Sequence, residues 1–258
     1  MDEVQDNSIH LVITSPPYYN YKDYNTKSEK QVGSINHSYE RFISDLDKVW
    51  KECFKKMVPG GKLCINIPNM KSRTKVEGYS FLYSIVADVT KSCQKIGYIF
   101  FDEIIWVKGS ANAGALKGRP LFGSYPYPPN FKILDSIQES ILVFKKPGKI
   151  LKHDEEIKEK SKLTKEEWLT YTLGVWHMLP ERQNKGHCAV FPIELPLRLI
   201  KLYSFVGDTI LDPFLGSGTT LKACKLLERI GIGYEINSEY KIIIDEKIGH
   251  LQQRILFG

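Results

Sequence analysis

No two of the five cysteines, Cys53, Cys64, Cys93, Cys188 and Cys224, stand in a C-x-x-C pair. Their odd number and wide spacing argue against a disulfide framework and against a cysteine-built zinc site, and they suit a reducing cytoplasm. Long hydrophobic runs are missing too, so no membrane-spanning helix and no membrane partner are expected. The first residues, Met1-Asp2-Glu3-Val4-Gln5-Asp6-Asn7, are acidic where a leader would be basic, and a cytoplasmic location is expected. His177 and His187 have no second pair of ligands at a recognisable spacing, so no metal is assigned. A strong charge of one sign is also lacking. The net charge of +6 suits a partner carrying phosphates but is common among proteins without one.

What is present is an apolar fraction, 42% of 258 residues, large enough to bury the core of one α/β domain. Helical and strand patterns alternate as a doubly wound, mostly parallel sheet requires. Phe42, Leu46, Val49, Trp50, Cys53, Phe54 and Met57 recur at helical spacing after a Ser38 cap, which makes Trp50 a core residue. Pro59-Gly60-Gly61 is expected to stop that helix ahead of a strand from Leu63 to Ile67. A second helix is read near Tyr79 to Lys95 and a strand near Tyr98 to Val107. Residues 108 to 131, rich in Gly, Pro and Tyr and including Lys117 and Arg119, read either as a loop suited to a nucleic-acid strand or as disorder. From Lys145 to Gly186 the α/β rhythm breaks, with a Lys/Glu-rich run that reads as a solvated helix face, then Trp168, Tyr171, Trp176 and His177.

Two loops carry the chemistry, each placed after an apolar strand pattern and so at the carboxyl edge of the sheet. The later one is Asp212-Pro213-Phe214-Leu215-Gly216-Ser217-Gly218-Thr219-Thr220. Gly216 and Gly218 remove side chains where backbone would approach a ligand, and Thr219 and Thr220 open a helix with Leu221, Cys224, Leu226 and Leu227 turned to a core. A second strand, Ile230 to Tyr234, ends in Glu235, at the spacing where an acid reaches ribose hydroxyls. The lysine of a phosphate-binding P-loop is absent, since Thr219 follows the second glycine. The earlier loop is Thr14-Ser15-Pro16-Pro17-Tyr18, stiff and poor in donors. Its Ser15 hydroxyl and Pro16 carbonyl can accept from an amino group, and Tyr18 offers a ring for stacking. Taken alone it reads equally well as a rigid surface turn with a partly buried tyrosine.

Together these motifs resemble the S-adenosylmethionine-dependent DNA amino-methyltransferases, which methylate N4 of cytosine or N6 of adenine. Val58-Pro59-Gly60-Gly61-Lys62-Leu63, Glu103 to Lys108 and Glu139 to Phe144 resemble further segments of that family. His187-Cys188-Ala189-Val190-Phe191-Pro192 resembles its H-P-A-x-F-P stretch, with Cys188 where proline is usual. The order, catalytic motif first, is that of the family's circularly permuted β group. The resemblance implies a Rossmann-like methyltransferase fold and S-adenosyl-L-methionine as cofactor. It assigns Ser15, Pro16, Pro17 and Tyr18 to catalysis on a flipped-out base of double-stranded DNA. Asp212, Pro213, Phe214, Gly216 and Ser217 would hold the cofactor, together with Gly218, Thr219, Glu235, Asn237 and Phe191.

The expected organisation is a catalytic part at 1–145, a short inserted target-recognition segment at 146–186 and a cofactor-binding part at 187–258 of one domain. Such a short segment should lean on the catalytic domain and leaves room for a partner subunit, including a second copy in a homodimer. Ser at the first motif position is commoner among the cytosine enzymes of the family and Asp among the adenine enzymes, so the expected activity is cytosine-N4 methylation, in the setting of a restriction-modification system. Adenine-N6 methylation is the alternative. A catalytically silent nucleic-acid-binding subunit and an RNA methyltransferase are further ones.

Overall fold

In chain order the computed structural model gives β1 (Ile9–Thr14), α1 (Tyr39–Lys56), β2 (Met57–Ile67), β3 (Met70–Lys71), α2 (Thr74–Glu77), β4 (Leu82–Tyr83), α3 (Ile85–Ile96), β5 (Ile99–Val107), β6 (Gln138–Lys145), α4 (Glu155–Lys160), α5 (Lys165–Tyr171), β7 (Val175–His177), α6 (Glu194–Tyr203), β8 (Thr209–Asp212), α7 (Thr219–Leu226), β9 (Ile230–Glu235), α8 (Tyr240–Ile248) and β10 (Arg254–Phe257). It describes residues 1–19, 32–33, 37–72, 74–109, 128–129, 137–181, 191–249 and 254–257. Lys117, Arg119, His187 and Cys188 lie outside them, as does nearly all of the 108–131 stretch.

The main sheet runs β10-β9-β8-β1-β2-β6-β5-β7. Neighbours are parallel except where β6 pairs with β2 and β5. From β8 the chain winds outward through β9 to β10, and from β1 it winds the other way to β2. The winding direction therefore reverses between β8 and β1, the switch point outside which open α/β sheets bind ligands. Both motif loops leave the sheet there, since Leu11 pairs with Ile210 and Val12 with Leu211.

Strands buried on both faces need near-continuous apolar sequence, and β1, I-H-L-V-I-T, supplies it. Val12 and Ile65 face a cluster shared with α1 and α3; Ile13 and Cys64 face one shared with α6 and α7. Helix α1 is capped by the Ser38 hydroxyl accepting from Arg41 N, and its stripe Phe42, Leu46, Trp50 and Cys53 is fully buried. Its end differs from the sequence reading. The helix stops at Lys56, and Pro59-Gly60-Gly61 falls inside β2, where the register against β1 slips between Ile9 and Leu11. An irregularity in the pairing, from Ile9 opposite Met57 to Leu11 opposite Lys62, absorbs the residues read as a turn.

The second helix also starts later than read, at Ile85. Leu82 and Tyr83 belong to a two-stranded ribbon, and Tyr79, Phe81 and Tyr83 are in ring contact in succession, tilted at 5.3 Å and edge-to-face at 4.6 Å between centroids. In α7, Leu221 and Cys224 are buried as read, whereas Leu226 is 60% exposed.

The described part of 146–186 packs on the sheet. It adds β7 beside β5, buries Trp176 and Met178, and is tied to α6 by a Glu167–Lys201 ion pair. The Lys/Glu run forms exposed pairs, Lys158–Glu155, Lys160–Glu156 and Lys162–Glu159. Trp168 and His177 are exposed. Among the described residues no helix is long and apolar enough to cross a membrane, and no group of three or more His, Cys, Asp or Glu could hold a metal.

Candidate active site

Strand β8 ends in Asp212, 1% exposed, and this carboxylate joins the two loops. Its Oδ1 accepts from Thr14 Oγ1 at 2.7 Å, the last residue of β1, and from Phe214 N at 3.1 Å. Its Oδ2 accepts from Thr220 Oγ1 at 2.6 Å, in the first turn of α7. Burial pushes the Asp212 carboxyl up to about 6, against the three bonds, which pull it down. Its contacts within the protein are thus those of a bracket between loops.

The cofactor-type loop is clamped twice more. Glu235, at the end of β9, accepts from Gly216 N through Oε2 and from Asn237 N through Oε1, both at 2.8 Å. Burial raises its carboxyl while these backbone bonds oppose the shift. Lys247, from α8, donates to Thr219 Oγ1 at 2.7 Å and Ser217 Oγ at 3.0 Å, and burial lowers its ammonium.

The two glycines do different work. Gly216 has φ +54° and a Cβ there would meet no atom within 4 Å, so this backbone borders open space that a ligand can enter. Gly218 has φ +81°, and its Cβ would lie 3.2 Å from Ile244 Cγ2. It is a glycine for the left-handed start of α7 and the packing of α8. Pro213 is buried; Phe214 is partly buried, edge-on to Trp50 at 6.2 Å. Phe191 is partly buried against the cluster of α6.

Beyond β1, Pro16 is buried and Ser15 and Pro17 are partly buried. The Ser15 hydroxyl has no hydrogen-bond partner among the described residues. Tyr18 packs on the α1-side cluster and donates its hydroxyl to Glu139 Oε1 at 2.8 Å. No described cysteine competes as nucleophile: Cys53, Cys64, Cys93 and Cys224 are buried, and burial pushes each thiol up. Lys247 stands in no motif of the sequence, and Thr14 and Glu139, though they open quoted segments, carry no assigned role there.

A doubly wound sheet with a glycine loop at its switch point and an acid closing the next strand defines a nucleotide-type cofactor site. The chain belongs to the DNA methylase family of N6 and N4 methyltransferases, whose model it matches over residues 9–246. It is 36% identical to the type II methyltransferase M.MjaI of Methanocaldococcus jannaschii, across 99% of this chain and 90% of that protein. Identity to M.MthZI of Methanothermobacter thermautotrophicus is 34%, across 96% and 73%. A putative DNA modification methylase of Thermus thermophilus, TTHA0409, solved with S-adenosyl-L-methionine, superposes with a TM-score of 0.77 at 32% identity, covering all of this chain and 93% of its own. This protein is thus an enzyme that uses S-adenosyl-L-methionine to methylate DNA at an amino group.

Proposed function

We propose that the enzyme methylates the exocyclic N4 amine of cytosine, flipped out of double-stranded DNA, with Ser15 to Tyr18 as the catalytic loop. The observation that carries this is the Ser15 hydroxyl, unpartnered among the described residues and one residue beyond the Thr14–Asp212 bond that ties its strand to the cofactor loop. Bound S-adenosyl-L-methionine supplies an electrophilic methyl group on a sulfonium. The chain's own task is to make a poor nucleophile competent. An exocyclic amine delocalises its lone pair into the ring; the Ser15 hydroxyl and the Pro16 carbonyl accept hydrogen bonds from its two N–H groups and turn the lone pair outward. Attack by the aimed lone pair would form the nitrogen–carbon bond as the carbon–sulfur bond breaks with its electron pair kept by sulfur, and the extra proton of the methylated amine would pass to water. Tyr18 stacks on the flipped base.

On the cofactor side, the open backbone at Gly216 supports close approach, and Glu235 keeps lone pairs free to receive ribose hydroxyls. Phe214, Ser217, Thr219, Asn237 and Phe191 complete the site in this reading. The neutral Ser15, where a carboxylate would suit the adenine enzymes, favours cytosine. Residues 146–186 take the role of target recognition, in the manner of a restriction-modification enzyme. The test is incubation with unmethylated genomic DNA and labelled S-adenosylmethionine, digestion to nucleosides and separation. Label in N4-methylcytosine is expected; label in N6-methyladenine would overturn the base and keep the loop assignments.

A further inference from the structure

Outside the two motif loops, one buried carboxylate at the same sheet edge gathers three donors from three separate segments. Glu139 lies near the start of β6 and is 3% exposed. Its Oε1 receives the Tyr18 hydroxyl at 2.8 Å and pairs with the Lys108 ammonium, just beyond β5. Its Oε2 receives Asn66 Nδ2 at 2.6 Å, near the end of β2. Sheet register explains the convergence. Asn66 opposes Ile141 across β2 and β6, two residues from Glu139 on the same face, and Glu139 opposes Trp106, two residues before Lys108.

We infer that Glu139 is the positioning residue for the catalytic tyrosine: it fixes the Tyr18 ring in the attitude that receives the flipped base. This rests on the reading of Ser15 to Tyr18 as the catalytic loop. The prolines stiffen the loop backbone, which leaves the attitude of the tyrosine ring to be fixed by its side-chain contacts. Packing on the apolar cluster holds one side of that ring, and the Glu139 bond holds the hydroxyl end. Lys108 offsets the carboxylate charge, without which burial of Glu139 beside a phenol would be costly. The cluster also keeps an open acceptor. Asn66 is 3% exposed, and its Oδ1 has no partner among the described residues, which is unusual for a buried polar atom in a site with no other business.

The test compares Glu139→Gln, Tyr18→Phe, their double variant and Tyr18→Ala in the full chain. Single-turnover methylation of unmethylated DNA is read at saturating S-adenosylmethionine, with cofactor affinity and melting temperature measured alongside. Glu139→Gln is expected to slow methyl transfer at least tenfold with cofactor affinity within twofold. Tyr18→Phe, which severs the same bond from its other end, should match it, and the double variant should be no slower than either. Independent losses that multiply in the double variant would overturn the role, as would a wild-type rate in Glu139→Gln beside a crippled Tyr18→Ala. A wild-type rate in Tyr18→Ala would instead overturn the catalytic reading of the loop, and this role with it. Should Glu139→Gln fail to bind cofactor, Tyr18→Phe alone decides: a loss supports the bond, and a wild-type rate overturns it.

Discussion

The glycine loop proposed to hold the cofactor is tied down from three sides by Asp212, Glu235 and Lys247, whereas the serine of the proposed catalytic loop has no hydrogen-bond partner among the described residues. The difference follows from what each loop must do. A loop that holds a ligand gains from having its own groups fixed in advance, so its polar atoms are largely committed. A loop that accepts hydrogen bonds from a reacting amine has to leave acceptors open, and its backbone takes its rigidity from Pro16 and Pro17, with only the Tyr18 hydroxyl held by Glu139. The Thr14–Asp212 bond is where the two designs meet.

Breaking that junction gives the largest expected effect. Burial pushes Asp212 from 3.8 up to about 6. A folded value above the unfolded one means that the folded state holds the proton more tightly. The contribution of Asp212 to stability is therefore fully present below about pH 4 and is lost as pH rises to about 6, by roughly 3 kcal/mol. Denaturant unfolding of wild type and Asp212→Asn at pH 4 and pH 7 measures this. The variant should gain roughly 2–3 kcal/mol on wild type between the two; an unchanged difference would show that the junction carries no such cost.

Ser15→Ala and Glu235→Ala sharpen the contrast from either side. Loss of the open acceptor should slow single-turnover methyl transfer by about a hundredfold, about 2.7 kcal/mol, with cofactor affinity unchanged. Loss of Glu235 strands two backbone N–H groups, at Gly216 and Asn237, and should weaken cofactor binding roughly ten- to a hundredfold while the saturated rate holds. Calorimetric titration beside single-turnover kinetics separates the two. Matching patterns in both variants would dissolve the distinction between a holding loop and a reacting loop.

Both loops are legible in the sequence because their signals are local: prolines, glycines and a flanking strand read within a dozen residues. Their partners are not. Tyr18 meets Glu139 across 121 residues and Thr14 meets Asp212 across 198, and only the sheet order brings them together. Local misreadings have local causes as well. Tyr79, Phe81 and Tyr83 alternate with period two, a strand signal overridden by the helical pattern that follows, and Met57 continues the α1 stripe by spacing although its backbone is already extended. Gly218 reads alike with Gly216 because a sequence shows two glycines and not which one faces open space.

The smallest effect is expected at Lys247, and its size says what this lysine touches. In Lys247→Met the stem is retained and the ammonium is lost from Ser217 and Thr219. The two hydroxyls lie 3.4 Å apart and can satisfy each other, and a half-buried charge that burial already disfavours is removed. The net change in cofactor affinity, read by titration, should thus be only about three- to tenfold, near one ordinary hydrogen bond. A loss beyond a hundredfold would mean that Lys247 reaches past the hydroxyls to the cofactor itself, making it a binding residue in its own right and moving α8 from a support of the loop to a wall of the site.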